Sequence, residues 1–242
     1  MAEHRKIFVV SDIHGHCTPL INALAKAGFD KNEPSHLLVC CGDYFDRGDE
    51  SLEVLEFFEG LPRKVLLRGN HEDMLMKLLT TGRMLPHHYV NGSQNTLKSM
   101  LGDFSIDPIG HTVDFSGNSQ IVERFCRFIR STVDYFETRN YVFVHGWLPE
   151  NVKTPEALRA VPSGHWDAAR IEAWVKHYNG TPPLPGKTLI CGHVPTFLAG
   201  PHDPDRDESN ADIFYGNRLI AIDAGTADSK QINVLVLEDE LI

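Results

Sequence analysis

Short apolar runs alternate with polar clusters along the first third of the chain. Lys6–Val10 (KIFVV), His36–Cys40 (HLLVC) and Lys64–Leu67 (KVLL) are rich in β-branched and aliphatic residues, so each predicts a buried strand. A polar loop and then a helical pattern follow each run: Thr18–Ala27, with Thr18 as its cap and Pro19 in the first turn, then Ser51–Phe58, then Glu72–Leu79. Strand, loop and helix in repetition predict an α/β protein whose ligands lie beyond the carboxyl ends of its strands. Three later runs, Tyr141–Val144, Lys187–Cys191 and Leu219–Ile222, end at His145-Gly146, Gly192-His193 and Asp223-Ala224-Gly225. The strand ends are therefore expected to deliver their polar residues to one edge of a sheet, with a last strand at Ile232–Leu237.

The polar residues at those ends form a chemical set. Asp12-Ile13-His14-Gly15, Gly42-Asp43-Tyr44-Phe45-Asp46-Arg47-Gly48 and Gly69-Asn70-His71-Glu72 stand far apart, and His145 and His193 follow much later. Taken singly, each reads as a turn, a helix cap or a satisfied core histidine. Five such signals in one order, all at strand ends, make that reading improbable as a whole. Two divalent cations in one site need hard oxygen donors and imidazoles, with one carboxylate between them holding a separation of roughly 3.5–4 Å. Asp12, His14 and Asp43 supply a first site; Asp43, Asn70, His145 and His193 supply a second, with Asp43 as the bridge. A metal-bridging hydroxide would then attack phosphorus directly, without a covalent enzyme intermediate. His71 is left as the acid for the departing oxygen, its tautomer fixed by Asp46, and the planar fork of Arg47 suits phosphate oxygens.

These motifs resemble the phosphoprotein phosphatase superfamily of metallophosphoesterases, whose pattern is Gly-Asp-x-His-Gly, Gly-Asp-x-x-Asp-Arg-Gly, Gly-Asn-His-Glu and two isolated histidines. Ser11 replaces the leading glycine of the first element, and Arg68 precedes the third. The resemblance runs from Lys6 to the last expected strand. It implies a calcineurin-like fold, a central β-sandwich flanked by helices, with a dinuclear centre in which manganese is the metal, iron(II) or zinc also fitting the donors. By the same resemblance Asp12, His14, Asp43, Asn70, His145 and His193 are metal ligands, His71 with Asp46 is the acid, and Arg47 and Arg68 contact phosphate. A further phosphate-binding arginine is expected between the late histidines, with Arg170 ahead of Arg159. The compact length, Gly192-His193-Val194-Pro195 and Ala221-Ile222-Asp223-Ala224-Gly225-Thr226 look like the bacterial and phage branch. That branch holds serine/threonine protein phosphatases and diadenosine tetraphosphate hydrolases alike. Phosphoserine or phosphothreonine in a protein is the leading substrate, a dinucleoside polyphosphate is the alternative, and a non-catalytic metal-stabilised binding protein is a reading of another class.

Composition narrows the partners. At 242 residues, 42% hydrophobic, the chain can bury one substantial core, and residues 1–242 are expected to form a single domain. Nothing at the N-terminus reads as a signal peptide or a spanning helix, so a cytoplasmic protein with no membrane partner is expected. The net charge of −10, without a basic stripe, disfavours a long nucleic acid. Five cysteines, an odd number placed in or beside strands, are expected to be buried thiols, with Cys17 and Cys191 near proposed ligands.

Specificity is expected from the intervening segments. Residues 81–115 lack sustained periodicity and predict a helix-bearing cap in which His87 and His88 are solvated loop residues. Ser119–Ile129 carries Ile121, Val122, Phe125, Phe128 and Ile129 at helical spacing, which predicts a core-packed helix. Trp147, Trp166 and Trp174 are expected to pack, or to take a nucleotide ring if they face the cleft. Pro201–Asp212 reads as an exposed loop that gates the cleft or merely connects. Oligomeric state is not legible.

Overall fold

The computed structural model describes residues 4–177, 182–198 and 209–242. The expected gating loop lies mostly outside the described residues. Two sheets carry the architecture. The first has the order β3 (Lys64–Leu66), β2 (His36–Cys40), β1 (His4–Val10), β9 (Leu235–Glu240); β1, β2 and β3 are parallel and β9 runs antiparallel to β1. The second has the order β4 (Phe136–Glu137), β5 (Tyr141–Phe143), β6 (Thr188–Cys191), β8 (Leu219–Ala221), β7 (Phe214–Gly216), with β5, β6 and β8 parallel. Its edge strands β4 and β7 are antiparallel to their neighbours.

Alternation along the strands assembles three cores from these two sheets. In β1, Ile7 and Val9 face the second sheet and bury against Phe143, Ile190 and Ile220. Phe8 and Val10 face the other way, into a core with Leu20, Val54, Phe58, Leu75 and Phe125 from the flanking helices. The outer face of the second sheet, Val142, Leu189 and Leu219, meets Leu158, Trp166 and Trp174. Each fully buried aliphatic or aromatic side chain contributes about 1.5–3 kcal/mol, and a one-residue slip of β1 would exchange its two faces, so the register is strongly specified.

The helices are α1 (Cys17–Lys26), α2 (Ser51–Glu59), α3 (Asn70–Thr81), α4 (Pro86–Val90), α5 (Ser93–Leu101), α6 (Ser119–Arg130), α7 (Pro155–Arg159), α8 (Asp167–Ile171) and α9 (Thr226–Ser229). Three local expectations need correction. Thr18 lies inside α1 rather than capping it; Glu50 does the capping from the loop before α2, its carboxylate accepting from the Thr18 backbone N–H at 3.0 Å and the hydroxyl at 2.5 Å. Charge at the positive end of the helix makes a carboxylate the stronger cap. His88 is buried, not solvated, and its ring bridges the Leu85 N–H (2.9 Å) and the Met74 carbonyl (3.1 Å). The polar strand ends meet between two sheets, three from each, rather than on one sheet edge.

Among the described residues no helix is long and apolar enough to cross a membrane. All five cysteines are free and buried, and burial pushes the Cys17 thiol up to about 11 and the Cys191 thiol further, so both stay protonated and unreactive at neutral pH.

Candidate metal centre

Backbone hydrogen bonds tie the strand ends to one another before any side chain acts. Asp12 N–H donates to the Gly42 carbonyl and His14 N–H to the Asp43 carbonyl, both at 3.0 Å, while Gly192 N–H donates to the His145 carbonyl at 2.7 Å. Within this lattice Asp12, His14, Asp43, Asp46, Arg47 and His193 all hold positive φ, between 48° and 69°. They are six of the nine non-glycine residues of that kind among the described residues. Each such conformation costs on the order of 1–3 kcal/mol, so the concentration here means the surroundings enforce these side-chain directions. Two glycines permit the close approach of the loops: a Cβ on Gly69 would lie 2.0 Å from Asp43 Oδ1, and one on Gly192 would lie 2.2 Å from Asp12 Oδ2.

Asp43 is the hub. Its Oδ1 accepts the His71 backbone N–H at 3.1 Å, which fixes the carboxylate and leaves Oδ2 facing three imidazoles. The Nε2 atoms of His14 and His71 lie 3.8 Å from that oxygen and that of His145 lies 3.4 Å away. His14 and His145 are aimed by their other nitrogens, which donate to the carbonyls of Phe45 (3.0 Å) and Cys41 (2.7 Å). The Asn70 side-chain oxygen sits 3.0 Å from His145 Nε2, and the His193 ring centroid is 5.0 Å from that of His145. Donor atoms of His14, Asp43 and His71 form one compact group and those of Asp43, His145 and His193 a second, with Asp43 in both.

Asp12 completes the picture from the side. Its Oδ2 is occupied, accepting the Ser11 hydroxyl and the His193 backbone N–H (2.9 Å), whereas its Oδ1 is buried without a hydrogen-bond partner. A buried orphan carboxylate oxygen costs on the order of 1–3 kcal/mol unless a cation or proton meets it. Burial pushes the Asp12 carboxyl up to about 6, with the Asp43 charge adding and the His145 charge opposing. Burial alone would strip His145 of its proton, but Asp43 and Asp12 outweigh it and raise that ring to about 10. His193, half-buried and beside His145, is lowered to about 4 by desolvation and the His145 charge, and burial together with the His71 ring holds His14 well below the usual range. Buried carboxylates set among imidazoles, one of them with an orphan oxygen, are the donor chemistry that divalent cations fit.

Beside this cluster stands a hydrogen-bonded histidine–aspartate pair. His71 Nδ1 and Asp46 Oδ2 are 2.8 Å apart, both buried, and burial of the ring is outweighed by Asp43 and Asp46, which raise its proton affinity. Arg47, the next residue, is exposed and its guanidinium makes no ion pair among the described residues. Arg68 is anchored instead: Nε donates to Thr132 at 3.1 Å, one terminal nitrogen to the Ile129 carbonyl at 2.8 Å, and the other lies 3.6 Å from Asp73. Arg170 is almost fully buried among Asp167 (2.6 Å), Asp134 (2.7 Å) and Asp73 (3.2 Å), so Arg68 and Arg170 meet at one carboxylate at the start of α3. Arg159 pairs with Glu137 on another face.

A family model for calcineurin-like phosphoesterases matches residues 5–225, nearly the whole chain and every residue of the cluster. The chain belongs to the calcineurin-like phosphoesterase family. Among curated proteins it is 38% identical over 78 residues to serine/threonine-protein phosphatase 2 of Salmonella typhimurium, a stretch covering 32% of this chain and 34% of that protein. It is 40% identical over 72 residues to the symmetrical bis(5'-nucleosyl)-tetraphosphatase of Buchnera aphidicola, covering 29% and 25%. These alignments span about a third or less of either relative. A serine/threonine phosphatase from Saccharomyces cerevisiae superposes with a TM-score of 0.58 at 16% identity, covering 98% of this chain and 80% of that one, which is a likeness of fold.

This calcineurin-like phosphoesterase holds its cluster with residues that sequence reasoning passed over. Glu72, the last residue of the Gly69-Asn70-His71-Glu72 motif, accepts the backbone N–H groups of Asp43 (2.9 Å), Tyr44 (3.0 Å) and Gly69 (2.9 Å). It thereby clamps the ends of β2 and β3 together, and burial beside Asp43 raises its carboxyl to about 7. Thr96 on α5 accepts the Asp46 N–H at 2.8 Å and donates to Asp46 Oδ1 at 3.1 Å. The Glu72 signal was present in the motif; Thr96, half a hundred positions from its partner, left none. Trp166 and Trp174 are buried in the core of the second sheet, whereas Trp147 stacks on His177 at 4.7 Å and lines a cavity of about 610 Å³ with Leu148, Val152 and Pro183.

Proposed function

We propose that the chain hydrolyses phosphomonoesters, with phosphoserine and phosphothreonine in proteins as the substrate class, in a reaction that depends on two divalent cations. The observation that carries this reading is the placement of Asp43 Oδ2 within 3.4–3.8 Å of three imidazole nitrogens while His71 is bonded to Asp46 behind it. Asp12, His14 and Asp43 would hold one cation, and Asp43, Asn70, His145 and His193 the other. The orphan Asp12 Oδ1 supports this division, because it supplies the first cation with a donor and leaves His71 for proton transfer. When bound, the cations would withdraw charge from phosphoryl oxygens and acidify a water into a hydroxide nucleophile near neutral pH. Manganese suits the mixed oxygen and imidazole donors, as do iron(II) and zinc.

The remaining work falls to this chain's own residues. Arg47 would orient the phosphoryl group through its unpaired fork, and Arg68 would add a second guanidinium at the rim. Arg170, enclosed by three carboxylates, contributes by holding Arg68 and α3 through Asp73 unless one of those pairs opens to substrate. His71 would deliver the Nε2 proton of its imidazolium to the leaving oxygen, while Asp46 accepts from Nδ1–H, aims the ring and stabilises its protonated form. A dinucleoside polyphosphate is the second reading, favoured by the Trp147 cavity directly after His145 and by the Buchnera relative. Manganese-loaded protein offered a phosphothreonine peptide and diadenosine tetraphosphate separates the two: faster turnover of the peptide is expected, and hydrolysis of the dinucleotide alone would overturn the first reading.

A further inference from the structure

A groove of about 560 Å³ reaches Arg47 and is lined by Arg47, Lys98, Lys230, His16, Asn95 and Asp49 among others. Three cations and one carboxylate converge there on a chain whose net charge is −10, so the groove opposes the sign of the molecule. Its basic groups are positioned rather than loose. His16 Nδ1 lies 3.1 Å from the Ile13 carbonyl and donates to it, which leaves the Nε2 lone pair to accept from Lys230 Nζ at 3.2 Å. Lys230 Nζ also donates to the Ala227 carbonyl at 2.6 Å, so two of its three hydrogens are held and the third, which meets no partner among the described residues, is available to an anion. The Lys230 backbone has φ 58°, a conformation rare for a long side chain, which turns it towards His16. Across the groove, Asn95 on α5 donates to the Arg47 carbonyl at 2.6 Å, and Lys98, one turn further along that helix, is exposed without an ion pair among the described residues.

We propose that this groove is a subsite for a second anionic group of the substrate, an acidic side chain or a second phosphoryl group, beside the phosphate being cleaved. The proposal rests on the reading of the adjoining cluster as a phosphomonoesterase. Arg47 belongs to both places: it follows Asp46, the partner of His71, and its side chain borders the groove. Among the described residues no aromatic ring besides the His16 imidazole lines the groove, so these residues offer a nucleobase no stacking surface, whereas a carboxylate or phosphate finds Lys98, Lys230 and Arg47. The segment 81–115 thereby gains a function through Lys98, that of selecting phosphorylated sites by the charge of their neighbours.

The test uses phosphoserine peptides identical except beside the phosphoserine, where alanine, glutamate or a second phosphoserine stands on either side, and compares the parent protein with Lys98→Ala/Lys230→Ala. Both lysines are exposed, so an unchanged melting temperature is expected and serves as the folding control. Exposed charge pairs are modest, and the parent should prefer an acidic neighbour by about three- to tenfold in kcat/KM, chiefly through KM. The glutamate and second-phosphoserine arms distinguish the two sources of the anion. In the double variant the preference should vanish while hydrolysis of p-nitrophenyl phosphate, which has no second anion, is unchanged. An absent preference in the parent, or a preference that survives in the variant, overturns the subsite. Loss of p-nitrophenyl phosphate hydrolysis by the parent itself would instead count against the phosphomonoesterase reading, and peptide binding by fluorescence anisotropy would still decide the role of the lysines.

Discussion

Thr96→Val isolates the link between α5 and the proposed acid. Valine keeps the shape of threonine and removes only the hydroxyl, which accepts the Asp46 N–H at 2.8 Å, donates to Asp46 Oδ1 at 3.1 Å and lies 3.2 Å from the Ser51 hydroxyl. Asp46 is fully buried, so both of its orphaned atoms lose a partner where no solvent replaces it. At about 1–3 kcal/mol for each of the two unsatisfied buried groups, the variant should lose about 2–6 kcal/mol of stability, read from denaturant unfolding. Catalysis should fall selectively. A general acid supplies roughly 10²–10⁴ in rate, and a carboxylate free to turn wastes part of that, so about tenfold is expected for a phosphoserine peptide, whose alkoxide leaving group needs the proton. Nitrophenolate leaves without much help, so p-nitrophenyl phosphate should lose little. Thr96→Ser, which restores the hydroxyl, should return both rate and stability. An equal loss for the two substrates, or none for the peptide, would refute the positioning role.

Two further outcomes follow from the same geometry. Glu72→Gln keeps the size but replaces one acceptor oxygen with an amide that faces the N–H groups of Asp43, Tyr44 and Gly69; about 2–4 kcal/mol of stability should be lost, together with metal affinity, and unfolding unchanged from the parent would show that the clamp is dispensable. Metal uptake should release protons at pH 8, because the His145 ring, raised to about 10 in the metal-free chain, carries a proton at that pH that a ligand must shed. Affinity should accordingly rise with pH up to about 10, and binding heats measured in two buffers of different ionisation enthalpy should differ; identical heats would contradict the assignment of His145.

What was legible in the sequence was set by local pattern. The apolar runs of β1 and β2 are dense enough to be read alone, and their following clusters carry Asp12, His14 and Asp43 to the place where the structure gathers them. Strand edges were less legible: β4 spans two residues and β7 three, too short for alternation to register, and β9 starts at Leu235 rather than Ile232 because pairing with β1 decides its span. The division of the strand ends between two sheets was invisible to periodicity, which reports which residues are buried and not which sheet buries them; only the family resemblance, with its β-sandwich, implied a second sheet. His88 was misjudged for a related reason. Within a polar, proline-bearing segment nothing local distinguishes a solvated imidazole from one that closes the Leu85 N–H and the Met74 carbonyl. The arginines mark the same boundary: Arg170 was expected to contact phosphate by resemblance, whereas its enclosure by Asp73, Asp134 and Asp167 depends on three separate segments that no local pattern joins.

The central claim is that Asp43 joins two cation sites in one centre of hydrolysis. Its most direct measurement is the manganese stoichiometry of the chelator-stripped protein, by calorimetry, alongside hydrolysis of p-nitrophenyl phosphate at each point of the titration. Two ions per chain are expected, with activity rising as the second binds, and Asp43→Asn should abolish the two-ion stoichiometry and the activity together. A single ion, or hydrolysis that is undiminished in the stripped protein or in Asp43→Asn, would contradict the account.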